Sequence, residues 1–345
     1  MHQNSSARIV YLDLLRVIAT FAVILLHVAS SEFYDAFPSI NWRVSIAYNG
    51  IARWGVPVFV MISGALFLNP NKEVTYQDIL KKRVPRLLLA YVFWTLFYVL
   101  YGFVLTGFEG FSVLHFIKRA IVSPRVHLWF LPMLMGVYLL IPMLRKIAQD
   151  RKLLRYALLI WIVFVFVSFF QFSKTFELMT QIYPLFKMNT ILGYSGYFLF
   201  GYFLSCNVFS KRQRIWIYLL GIAGALVAIF GTIYTSVSDG EANKCFLTNL
   251  SLQVVSMATA LFVLEKELAQ KCGTFTLKFV DFVRKDLFGM YLTHLLWFPI
   301  INTEAYRHCC SEVVTLPLIA IIVFVLSLFT TKLIRLIPIL RKVVE

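Results

Sequence analysis

Acidic residues are scarce in this sequence. Of 345 residues, 17 are Asp or Glu against 33 Lys or Arg, and charged side chains make up 14% of the whole. Such a chain has too little charge to cover the surface of a soluble fold of its size. Cysteines number five, with no C-x-x-C pair and no metal-ligand spacing, which excludes a zinc module and a disulfide-built scaffold. Cys309 and Cys310 are neighbours, where a bridge would be strained; all five read as ordinary residues, with a disulfide involving Cys245 as the alternative. No polar stretch is long enough for a separate soluble domain. Low-complexity segments and internal repeats are also missing.

What is present is apolar: 60% of the residues are hydrophobic and the mean hydropathy is +0.77. Ten apolar runs are expected to cross a membrane, approximately 9–29, 48–68, 86–106, 127–144, 153–172, 190–206, 214–236, 246–264, 286–302 and 313–331. The expected fold is an all-α polytopic membrane bundle forming one domain over 1–345. Lys and Arg concentrate in alternate loops, at 69–86, 145–155, 207–214, 265–285 and after 331. That pattern predicts both termini in the cytoplasm. It also accounts for most of the +16 formal charge without a nucleic-acid partner. The first run lacks a small-residue cleavage site and carries charges, so it is expected to be retained.

That run, Arg8 to Ala29, organises the rest. It holds Asp13, Arg16 and His27, and ionisable groups inside a span are functional candidates by default because they are costly there. Arg16 and His27 are eleven residues apart, about 20° off whole turns, with Asp13 and Thr20 within about 40° of the same line. The rise between them is about 16 Å, roughly half a hydrocarbon core. His27 is either a base near neutral pH or a marker of the water interface. Asp13 can pair with Arg16. Arg53, expected level with His27, either helps keep the imidazole neutral or snorkels outward.

Between spans two and three, Thr75 with Asp78 predicts a capped interfacial helix, with Pro85 kinking or restarting it. Arg83 and Arg86 form an R-x-x-R whose guanidiniums suit phosphate. A helix restarting at Pro85 would place them at its N-terminus, where a bound anion relieves the opposed macrodipole. Ser63 and Gly64 are expected to serve close helix packing. Residues 107–126, with Phe108, Phe111, Leu114, Phe116 and Ile117, are expected to lie along the outer interface. Span four opens on His127, a candidate for lining an acceptor site, and Trp129, a belt residue by composition. Tyr291 and His294 share a face in span nine, with an interior, satisfied histidine as the plainer alternative.

Taken together, these motifs resemble acyltransferase family 3, integral membrane enzymes that O-acylate surface carbohydrates. The resemblance covers nearly the whole chain. It rests on Arg16 with His27, on Arg83 with Arg86, and on the runs Val56–Gly64, His127–Leu131 and Met290–His294. Within the family, the single-domain type resembling the O-acetyltransferase of enterobacterial common antigen is nearest. Pro132, after His127–Leu131, departs from the pattern. The resemblance implies a bacterial inner-membrane location, acyl-CoA (usually acetyl-CoA) as donor substrate, and a carbohydrate hydroxyl, possibly lipid-linked, as acceptor. It implies no permanently bound cofactor and no metal. Arg83, Arg86 and Arg16 would hold the coenzyme A phosphates. His27 would act on the acceptor, directly or through an acyl-histidine. The competing classes are a glycan transporter, whose broken repeats are not seen, and a scaffold, which has no use for a charged stripe.

Overall fold

The computed structural model describes residues 10–31, 33–34, 36–109, 112–122, 127–170, 189–303 and 310–345. Among them every regular element is helical. The expected positions of Arg8, Phe111 and Cys309 lie outside the described residues.

The helix α1 (Val10–Ser30) is central. It packs against α2 (Ile40–Ala52), α3 (Gly55–Phe67) and several later helices. A short α4 (Tyr76–Asp78) leads through a π-helical turn, Ile79–Arg83, into α5 (Val84–Leu105). Then come α6 (Val113–Val122), α7 (Phe130–Leu139), α8 (Ile141–Gln149), α9 (Arg151–Phe170) and α10 (Asn189–Cys206). After these follow α11 (Lys211–Asp239), α12 (Leu252–Leu268), α13 (Thr274–Val283) and α14 (Leu287–Thr293). The chain ends with α15 (Phe298–Ile301), α16 (Glu312–Leu336) and α17 (Pro338–Arg341).

Among the described residues, six helical stretches are long and apolar enough to cross a membrane, and the bent pair α7–α8, taken as one span, makes a seventh. The protein is therefore an all-helical membrane protein. Three of the ten expected spans take a different shape. The run 48–68 covers the larger, C-terminal part of a 28-residue stretch, Ile40–Phe67, broken at Arg53–Trp54 between α2 and α3. The run 127–144 bends by 59° between α7 and α8. Pro142, in the first turn of α8, has no N–H to continue α7 and crowds the carbonyl four residues back. The run 286–302 is α14, a 3-10 turn over His294–Leu296, and α15 with Pro299 near its start.

The helix at Pro85 does not restart, which removes the N-terminal argument for Arg83 and Arg86. The segment Tyr76–Leu105 is one continuous 30-residue stretch, and the Val84 N–H reaches back to the Ile79 carbonyl. The wider turn accommodates the missing donor and the ring of Pro85 without ending the helix. Thr75 does cap its start, accepting from the Asp78 N–H at 3.1 Å.

Close backbone contact holds α3 against α10. A Cβ on Gly64 would fall 1.8 Å from the Phe198 carbonyl oxygen, and one on Gly201 would fall 2.0 Å from that of Met61. Gly64 therefore serves packing as expected. Ser63 instead faces a cavity, its hydroxyl donating to the Phe59 carbonyl at 3.0 Å. On α6, Val113, Leu114 and Ile117 are exposed, consistent with an interfacial helix. Cys206, Cys245, Cys272 and Cys310 are free thiols. Cys245 makes no bridge, its Sγ donating to Thr235 Oγ1 at 3.7 Å.

Candidate active site

A cavity of about 570 Å³ opens beside α1. Arg16 from α1 lines one end together with Arg83 and Arg86 from the start of the α5 stretch. The Arg16 guanidinium also holds Asp13, at 3.2 Å, so the expected pair within α1 is formed. No carboxylate lies within ion-pair distance of Arg83 or Arg86 among the described residues. Arg83 instead lies 5.5 Å from the centre of the Phe67 ring, on which the Lys72 ammonium also sits at 5.0 Å. Partial burial, and then the guanidiniums of Arg83 and Arg16, push the Lys72 ammonium below its ordinary pKa. Lys72 thus belongs to the same cationic neighbourhood, which needs an anion.

A second group of lining residues carries charges that were only loop cations by sequence. Arg284 and Lys285 follow α13, and Arg335 and Arg341 come from α16 and α17. Among the described residues the one carboxylate lining the cavity is Glu345. Its Oε1 accepts from Arg341 Nε at 2.8 Å and from Arg335 Nε at 3.0 Å. Burial works to raise the Glu345 pKa, but the hydrogen bonds from Arg341 and Arg335 outweigh it and bring the carboxyl below its usual value. Beside this group the fully buried Asp286 holds both Lys332, at 2.8 Å, and Arg335.

From the cations the walls turn apolar. Val23, Val56, Phe59, Phe130 and Leu134 lead to Tyr291. The Tyr291 hydroxyl donates to the His127 carbonyl. His127 and His294 pack against it, and His27 packs against both of them. The ring centre of His27 is 5.2 Å from that of His294 and 6.5 Å from that of His127, and those two are 5.1 Å apart. His127 and His294 are buried, while His27 keeps some accessible surface. The His294 Nδ1 lies 2.7 Å from the Tyr291 carbonyl oxygen. A carbonyl accepts only, so Nδ1 carries the proton and Nε2 keeps its lone pair. That Nε2 is buried with no partner, a costly arrangement for a group with only a packing role.

The structure thus brings together Arg16, Arg83 and Arg86 at one end and His27, His127, His294 and Tyr291 at the other. His27 does not itself line the cavity. Val23, one turn along α1, does. Thr20 lies on the same helical face but is buried, its hydroxyl bonding back to the Arg16 carbonyl at 2.8 Å, and it does not line the cavity. Arg53 closes α2 within electrostatic reach of His27, with its buried Nε unpartnered. Trp129 packs on Tyr194 at 5.7 Å and has no ring contact with the three histidines among the described residues. The four basic residues of the second group were missed because nothing in their spacing sets them apart from topology charges.

A family model described as an acyltransferase domain matches residues 9–335. No curated protein and no solved structure matches the chain.

Proposed function

The chain belongs to acyltransferase family 3, and from that premise we propose that it moves an acyl group, acetyl by preference, from cytoplasmic acyl-CoA to a hydroxyl of a cell-surface or lipid-linked carbohydrate. The observation that carries this reading is a cavity with guanidiniums at one end and, at the other, a tyrosine in contact with His127 and His294, which in turn pack on His27. Ten crossings with both termini in the cytoplasm, in a bacterial inner membrane, are the arrangement this reading requires. The cationic end then faces the cytoplasm.

Arg83, Arg86 and Arg16 bind the donor's phosphates by charge-assisted hydrogen bonds. The apolar stretch past Val23, Phe59 and Phe130 accommodates the uncharged arm and brings the thioester toward Tyr291. His27 takes the proton of the acceptor hydroxyl as its oxygen attacks the thioester carbonyl. The C–S bond breaks, and the thiolate leaves with a proton to give free coenzyme A. His294 and His127 pack against His27 and fix its ring. In the acyl-histidine variant, His27 attacks first and the sugar hydroxyl then takes the acyl group from it.

The direct test is release of free coenzyme A thiol when purified protein meets acetyl-CoA and candidate glycans. Acceptor-dependent release is expected. A transporter or a scaffold with the same fold releases none, and that result would refute the transferase reading.

A further inference from the structure

The cavity is lined by seven basic side chains and one carboxylate. Gathering like charges around one space costs free energy that a single counterion offsets only in part. The uneven distribution of that counterion is informative. Arg83 and Arg86 have no ion-pair partner among the described residues, and Glu345 acts on Arg86 only through space, whereas Arg335 and Arg341 share its carboxylate directly.

Glu345 is not held there by charge alone. The segment carrying it is seated by Trp94, whose buried Nε1–H donates to the Val343 carbonyl at 2.9 Å. Val344 is fully buried, and a Cβ on Gly289 would come within 3.1 Å of its side chain. The scaffold therefore presents one carboxylate to two guanidiniums at the rim of the cavity. Carboxylate and phosphate are interchangeable ligands for such a fork.

We propose that Arg284, Lys285, Arg335 and Arg341 form the second half of the donor's phosphate site, and that Glu345 occupies part of it as an internal anion which a donor phosphate displaces. This rests on the acyl-CoA reading above and adds to it a set of binding residues and a built-in competitor. The ligand class is a multiply phosphorylated nucleotide held by both groups of cations, with the diphosphate and the remaining phosphate divided between them. Displacement moves no proton and breaks no covalent bond. The Arg335 guanidinium stays anchored by Asp286, so it is preorganised for the incoming anion. Arg341, whose side chain is 55% exposed, is free to swing.

The experiment measures coenzyme A binding to the purified full chain in nanodiscs of zwitterionic lipid, for the parent, Glu345→Gln and Arg341→Ala. Glu345→Gln keeps size and hydrogen bonding but removes the competing charge, and binding should tighten about fivefold. Arg341→Ala should weaken it about fivefold, with a shallower salt dependence. Equal melting temperatures show that neither change acts through folding. Coenzyme A affinity unchanged in both variants, or weakened in Glu345→Gln, would overturn the assignment while leaving the donor reading intact. No binding to the parent would overturn both. A repeat in anionic lipid covers the other source of phosphate. If Arg341→Ala loses only lipid-dependent effects, the second group serves headgroups and not the donor.

Discussion

The imidazole of His27 sits in a membrane-spanning helix against two other imidazoles and near a guanidinium, surroundings that no packing argument requires. On the proposed chemistry, His27→Ala should lower acyl transfer by about a thousandfold, the range of a lost general base, while the protein inserts and binds donor as before. Transfer at the parental rate by the purified variant would contradict the assignment. Arg83→Ala and Arg86→Ala should each raise the KM for acyl-CoA by about tenfold, the worth of one charge-assisted contact, with kcat little changed. An unchanged KM would reduce both to topology markers. These residues were legible in the sequence because an ionisable group in an apolar run is conspicuous, and because Arg16 and His27 repeat in phase with the helix. Arg284, Arg335 and Arg341 were not legible. Each sits in a basic segment where positive charge is expected on topological grounds, and only the packing of α13, α16 and α17 around α1 and α5 brings them to one cavity.

At the scale of the elements, the apolar runs marked where helices lie but not where they break. Three breaks or bulges accompany Pro85, Pro142 and Pro299, and each has its own outcome: a π-helical turn, a 59° bend and a short restart. A proline in sequence says that one donor is missing. Which neighbouring carbonyl is left over, and what covers it, is decided by packing. The helix ends show the same dependence. Lys266 on α12 donates to the carbonyls of Leu204, Ser205 and Asn207 at 3.1, 2.7 and 2.8 Å, closing the C-terminus of α10. Arg145 likewise reaches the Phe67 carbonyl at 2.5 Å at the end of α3. A cation placed there meets unsatisfied carbonyls and the negative end of the dipole. Lys266→Met keeps the aliphatic length and removes the donors, so it should cost about 2 kcal/mol, seen as a lower melting temperature in detergent. An unchanged melting temperature would mean that these carbonyls are satisfied without the lysine.

For the whole molecule, α1 is the axis on which both halves of the site are mounted. Its Arg16 end meets the cationic walls, and its His27 end meets the histidines of the α7 and α14 segments. The close approach of α3 to α10 through Gly64 and Gly201 braces the cavity wall that carries Val56, Phe59 and Ser63. The central claim is that this one cavity leads from the phosphate-binding arginines to Tyr291, beside the histidine cluster that holds the reacting base, and a bulky side chain along it tests the claim most directly. Val56→Trp places an indole between the two ends without touching the arginines or His27. The measurement is coenzyme A binding and acetyl transfer on the same purified sample. The account predicts that binding is retained while transfer falls about a hundredfold, since the thioester can no longer reach its attacking position. Retained binding with transfer at the parental rate would show that the acyl group travels by another route, and would contradict the account.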